Sequence, residues 1–97
     1  FQAKGMAVPC RPAYAEHGML RYMVRVKNKQ ALLEKARIHH IPLGDWFVSP
    51  LHPVEKDLEA WGYRSGCCPE AENACSEAVN LFTDRVLERR QLDILFS

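Results

Sequence analysis

The sequence predicts an α+β domain, with a small antiparallel sheet covered by helices on one face. Three observations carry that expectation. Leu20, Tyr22, Val24 and Val26 alternate with Arg21, Met23, Arg25 and Lys27, the period of a half-buried strand. Leu32, Leu33 and Ala36, with His40 at the end, make the apolar stripe of a helix. Ala71, Ala74, Cys75, Ala78 and Val79 repeat that helical spacing further on.

Taken in order, residues 1–18 hold Pro9, Pro12 and Gly18 without a sustained period and read as an irregular lead-in. The strand over Leu20–Val26 follows. Asn28 is placed as the N-cap of the first helix, because its side-chain oxygen can accept from a free N–H of the first turn. Ile41-Pro42 is expected to end that helix, since the residue before proline is disfavoured in the α region. Leu43–Val48 is expected to run extended as a second strand. Pro50 and Pro53 stiffen Leu51-His52. Val54–Trp61 reads as a short helix stopped by Gly62, a favoured residue just past a helix end.

Tyr63–Cys68 is expected as a loop. Pro69 suits the first position of the next helix, and Glu70 and Glu72 suit the positive end of its dipole. Asn80–Thr83 reads as extended or turning. Asp84 is expected to cap a last helix carrying Val86, Leu87, Leu92, Ile94 and Leu95.

Composition narrows the function classes. The 97 residues fit one domain, 47% hydrophobic and 26% charged, which is globular in character. A net charge of +1, with basic residues scattered among acids, argues against a nucleic-acid partner. No apolar run approaches the ~18 residues of a membrane span, and no signal peptide is apparent in the opening residues. The four cysteines are Cys10, Cys67, Cys68 and Cys75. Their even number allows two disulfides, but without a secretory signal they read as free thiols of a cytoplasmic protein. Cys67 and Cys68 are adjacent and cannot easily pair without backbone strain. Their spacing to Cys75 lacks the C-x₂₋₄-C form of a zinc site, and His39-His40 complements it poorly, so no metal site is expected.

The densest functional signal is Gly44–His52, which sets Asp45, Trp46, Phe47 and His52 between two ordinary elements. His52, pinned by flanking prolines, is the strongest single candidate, because small shifts move an imidazole through neutral pH. Asp45 beside Trp46 suits a polar ligand group with an aromatic surface, or equally a turn acid after Gly44. His39-His40 read as the C-terminal end of a helix, and Glu55, Asp57 and Glu59 as a solvated face. Ser49 lacks a nucleophile elbow, and no glycine-rich phosphate loop is present. The residues by themselves make half a site and no self-contained catalytic constellation.

Several segments then occur in a familiar order: Leu20-Arg21-Tyr22-Met23-Val24-Arg25-Val26, the helix with Leu32-Leu33, Ile41-Pro42-Leu43-Gly44-Asp45-Trp46-Phe47, Pro50-Leu51-His52-Pro53, Gly62-Tyr63, Cys68-Pro69-Glu70-Ala71-Glu72 and Asn80-Leu81. Across residues 19–95 the chain resembles the C-terminal small domain of DegT/StrS-type sugar aminotransferases, fold-type I enzymes that use pyridoxal phosphate. The resemblance implies a longer parent enzyme that moves an amino group from an amino acid to a keto-sugar nucleotide. In that family a large N-terminal domain holds the cofactor and its Schiff-base lysine, and the small domain closes over the site. His52 then inherits a substrate-side role, with Trp46 and Phe47 on the same wall.

Two departures stand out. Asn80-Leu81-Phe82-Thr83-Asp84 replaces the family's frequent Asn-Leu-Pro-Thr-His, and Met23 stands where proline is frequent. None of Lys4, Lys27, Lys29, Lys35 and Lys56 sits where the Schiff-base lysine is expected, so no cofactor site is expected within this chain. The reading is therefore a domain inactive alone, and the opening Phe1 favours a piece of a longer protein. The alternative is a free-standing product of a truncated gene, a self-associating interaction module that pairs, as a dimer, with a second copy of itself.

Overall fold

The computed structural model describes residues 5–6, 8–18 and 20–96. It is an α+β arrangement around a two-stranded antiparallel sheet. Strand β1 is Arg21–Arg25, helix α1 Lys29–Ile38, helix α2 Pro69–Glu77, strand β2 Ala78–Phe82 and helix α3 Arg89–Phe96. A short 3-10 helix, Leu58–Trp61, lies between α1 and α2. The described part of the lead-in holds neither strand nor helix; residues 1–4 and 7 of that lead-in, and Met19 at the head of the aminotransferase-like stretch, fall outside the described residues.

Pairing register assigns the two faces of the sheet. Tyr22 stands opposite Leu81 and Val24 opposite Val79, while Arg21, Met23 and Arg25 stand opposite Phe82, Asn80 and Ala78. Residues directly opposite in an antiparallel pair share a face. The Val24–Val79 face meets Leu32 and Ala36 of α1, Ile41, and Leu95 of α3 in one buried cluster. The expected alternation of β1 is present, but Leu20 is exposed and lies outside the strand.

Helix α1 begins as expected, with Asn28 Oδ1 accepting from the Ala31 N–H at 3.1 Å. It ends earlier than Ile41-Pro42. His39 is the C-cap, His40 adopts a left-handed φ of 54°, and Ile41 N–H reaches back to Ala36 carbonyl at 2.9 Å. His40 N–H bonds Arg37 carbonyl at 3.2 Å, completing a Schellman motif with Ile41 as its apolar residue. His40 thus lies beyond the helix and is exposed, so it adds nothing to the apolar stripe.

Four further expectations are corrected. Ala78 and Val79 belong to β2, not to the helix before it, because pairing with β1 buries Val79 completely. The two residues fit either period, and long-range pairing decides between them. Leu43–Val48 is not a strand. Only Gly44 bridges β2, exchanging hydrogen bonds with Asn80 at 2.8 and 2.9 Å. Val54–Trp61 is helical over Leu58–Trp61 alone, since Asp57 takes a left-handed φ of 55° just before it. Gly62, at φ 83°, stops it as expected.

Asp84 does not cap the last helix. Helix α3 starts at Arg89, where Gln91 Oε1 accepts from Glu88 N–H at 2.9 Å, one half of a capping box. Asp84 instead meets Arg85, and Val86 is 89% exposed.

The left-handed histidine makes a clear prediction. A non-glycine residue in that region carries a steric cost of roughly 1 kcal/mol, which glycine avoids. His40→Gly should therefore raise the urea midpoint, by about 0.5–1 kcal/mol in stability. An unchanged or lower midpoint would contradict this account of the helix end.

Candidate functional site

The site is organised from behind by Lys29, the first residue of α1. A lysine is disfavoured there by the helix dipole, and this one is only 5% exposed. Its side chain turns inward, where the ammonium pairs with Asp45 Oδ1 and donates to the carbonyls of Phe47 at 3.0 Å and Cys75 at 2.8 Å. Two of its three N–H donors thus reach carbonyls, and the charge meets a carboxylate. Asp45 Oδ1 is buried, with no partner other than that ammonium. One cation thereby joins α1, the Asp45–Phe47 segment and the end of α2.

Asn80, buried in β2, supplies the second fixing point. Its backbone pairs with Gly44, and its Oδ1 accepts from Trp46 N–H at 2.9 Å. A side chain thus takes the place of the next ladder bond, which explains why the expected strand stops at Gly44. A Cβ on Gly44 would meet Asn80 at 3.5 Å, an ordinary contact, so glycine is not demanded by space.

On this pinned backbone the aromatic side chains stay accessible, Trp46 at 41% and Phe47 at 39%. Phe47 and His52 are brought together, with ring centroids 6.0 Å apart and tilted by 58°. His52 Nδ1 accepts from Val48 N–H at 3.2 Å, so the neutral ring carries its proton on Nε2. Trp46 turns instead to the Arg21 guanidinium, 5.5 Å from its ring centre. Arg21 also stacks on Phe82 at 4.3 Å. Phe47 further lines a cavity of about 200 Å³ with Met23, Ser49, Ala74, Cys75 and Ala78, on the sheet face away from α1 and α3.

Ser49 is a structural hydroxyl. Its Oγ donates to Val54 carbonyl at 2.6 Å and accepts from Leu51 N–H at 3.0 Å, which holds the turn that carries His52. Asp57 and Glu59 are exposed beside a wider, open cleft of about 740 Å³ that also meets Tyr63 and Glu72. Glu72 Oε1 accepts from Tyr63 hydroxyl at 2.6 Å and from Gly66 N–H at 2.7 Å. The Tyr63 hydroxyl and then the Gly66 N–H hold the Glu72 carboxyl below the usual glutamate range, and the bond to Glu72 pushes the Tyr63 phenol up.

Sequence reasoning marked Trp46, Phe47 and His52 but missed Lys29, Asn80 and Arg21. Two signals were available: a lysine just after an N-cap, and an asparagine inside an apolar strand, where that residue is depleted. Asp45 serves as the partner of Lys29, which differs from both readings made of it from the sequence. Among the described residues no group of three or more His, Cys, Asp or Glu could hold a metal ion. Of the described lysines, Lys29 is committed to Asp45 and two carbonyls, Lys35 is half-buried, and Lys27 and Lys56 are exposed. Compared with known proteins, the chain matches no family model, no curated protein and no solved structure.

Two predictions follow from these contacts. Lys29→Met leaves Asp45 and two carbonyls without their cation. Breaking a buried pair costs about 3–5 kcal/mol, and the partial exposure of Asp45 lowers this to about 2–4 kcal/mol by urea denaturation. Lys29→Met with Asp45→Asn should recover part of that loss.

The Tyr63–Glu72 bond sets a pH window. The contribution of Glu72, whose carboxyl is lowered, is full above the ordinary glutamate value near 4.3 and is lost as pH falls through its folded value. That of Tyr63, whose phenol is raised, is full below about 10 and is lost on rising pH. Glu72→Gln should flatten the acid limb of the thermal-stability profile, and Tyr63→Phe the alkaline limb. Unchanged limbs would remove the bond from the account.

Proposed function

We propose that this chain is the substrate-side small domain of a DegT/StrS-like aminotransferase, inactive alone, presenting Trp46, Phe47 and His52 as one wall of a cleft. The observation that supports the reading best is the pairing of a fixed backbone with exposed rings. Lys29 and Asn80 hold residues 44–47, while Trp46 beside Arg21 and Phe47 beside His52 each stay partly exposed. Such a wall can orient a planar or sugar-like group by stacking, and His52 adds an Nε2–H donor beside it. In that family the cofactor, its Schiff-base lysine and the groups that hold its phosphate belong to a large N-terminal domain. When bound there, pyridoxal phosphate supplies the electron sink for amino transfer. In this chain the wall positions substrate and helps exclude water.

A second reading rests on the same exposed apolar residues. Met23, Trp46, Phe47 and Val48 are each 38–41% exposed, and a second copy of the chain would bury them in a self-associating module.

The two readings separate experimentally. With the pure chain, added pyridoxal phosphate should give no protein-bound Schiff-base absorbance and no borohydride-trapped lysine; a stoichiometric adduct at one lysine would overturn the inactive-alone reading. A nucleotide sugar such as uridine diphosphate glucose should shift the Trp46 indole and His52 imidazole NMR signals, and His52→Ala should weaken that response. Shifts confined to other residues would sink the wall. Sedimentation mass that rises with concentration supports the self-associating module, and a strict monomer removes it.

A further inference from the structure

Cys67 and Cys68 lie in the turn that leads into α2. Both thiols are exposed, and their sulfurs face each other at 3.9 Å. The turn around them is held at several points. Cys67 N–H bonds Arg64 carbonyl at 3.1 Å, and Cys68 carbonyl accepts from Glu72 N–H at 3.0 Å, inside the first turn of α2. Gly66 N–H and Tyr63 hydroxyl both end on Glu72 Oε1, tying the loop to that same turn. Backbone geometry therefore keeps the two adjacent side chains on one side of the chain.

We infer that Cys67 and Cys68 form a two-thiol chelating site for a soft, thiophilic centre of the trivalent arsenical class. A ligand bond of roughly 2.3 Å, the length of a thiolate–zinc bond, exceeds half the sulfur separation, so one centre reaches both sulfurs. Soft thiolate donors select soft centres over hard cations. Cys75 does not complete the set, because its thiol is half-buried and donates to Glu72 carbonyl at 3.2 Å. Two donors suit a centre that keeps its third bond for another group.

The chemistry balances without an oxidant. Phenylarsine oxide gives up its arsenic–oxygen bond, two arsenic–sulfur bonds form, and the two thiol protons leave with the oxygen as water. Arsenic stays trivalent and the sulfurs are not oxidised. Once the first sulfur has bound, the second bonds within the same molecule, which multiplies affinity by about 100-fold or more over a single thiol. The hydrogen bond with the neighbouring Cys67 thiol holds the Cys68 thiol above its usual range. Both thiol protons leave in that water, so ligation of the thiol pair releases no net proton to solvent.

The test is intact-mass spectrometry of the reduced chain with phenylarsine oxide in excess monothiol. One phenylarsenic group per chain should survive the monothiol and be removed by 2,3-dimercaptopropanol. Cys67→Ser and Cys68→Ser should each weaken retention by about 100-fold or more, whereas Cys10→Ser and Cys75→Ser should leave it unchanged. Circular dichroism of each variant establishes that the fold is kept. Retention in either single variant at Cys67 or Cys68, dependence on Cys10 or Cys75, or no adduct at all would overturn the site.

Discussion

The Lys29 ammonium is the interaction on which the described structure most depends. It replaces its water shell with one carboxylate and two carbonyls drawn from two other segments of the chain. Removing a cation from water costs several kcal/mol, and only well-placed acceptors offset that loss. The helix dipole adds to the cost, because Lys29 opens α1 at its positive end. The arrangement persists because two carbonyls accept from the ammonium while a carboxylate meets its charge. Its consequence is geometric: Asp45 and Phe47 cannot leave without stranding a buried charge.

The position of β2 follows from the same logic. It leaves α2 directly, pairs with β1 on one edge and meets Gly44 on the other. Strand β2 thus lies between two partners, and Ala78, Val79, Asn80 and Leu81 are all buried. A polar residue in that setting must be satisfied, and Asn80 is, by Gly44 through its backbone and Trp46 through its side chain. The aromatic segment is therefore held by a buried cation and a buried amide, while its rings need no burial themselves. That division lets a small domain keep an exposed apolar surface in a fixed shape.

The fold was legible where local chemistry and periodicity agreed. The alternation around Val24, the Asn28 cap and Pro69 at the start of α2 all depend on near neighbours, and each stands where the residues placed it. Legibility failed where a residue served two periods or where a distant partner intervened. Val79 fits a helical stripe as well as a strand, and Val24 settles the matter from across the sheet. Leu43–Val48 carries strand-like residues, yet the Asn80 side chain takes the Trp46 N–H that a further ladder would need. At the site, Trp46, Phe47 and His52 were visible as an unusual density of rings. The contacts that hold them were not, because they come from residues far away in sequence.

The sequence by itself determined the α+β character, the α1 N-cap, the start of α2 and the candidacy of the Gly44–His52 segment, since these follow from side-chain period and from bonds within a few residues. The tertiary structure decided that Asp45 partners Lys29, that Phe47 rather than Trp46 meets His52, and that the would-be strand ends at Gly44. It also set the Cys67 and Cys68 sulfurs face to face. Each of these depends on where a charge or polar group finds its partner once water is excluded, and pairing across the fold is not written in local spacing.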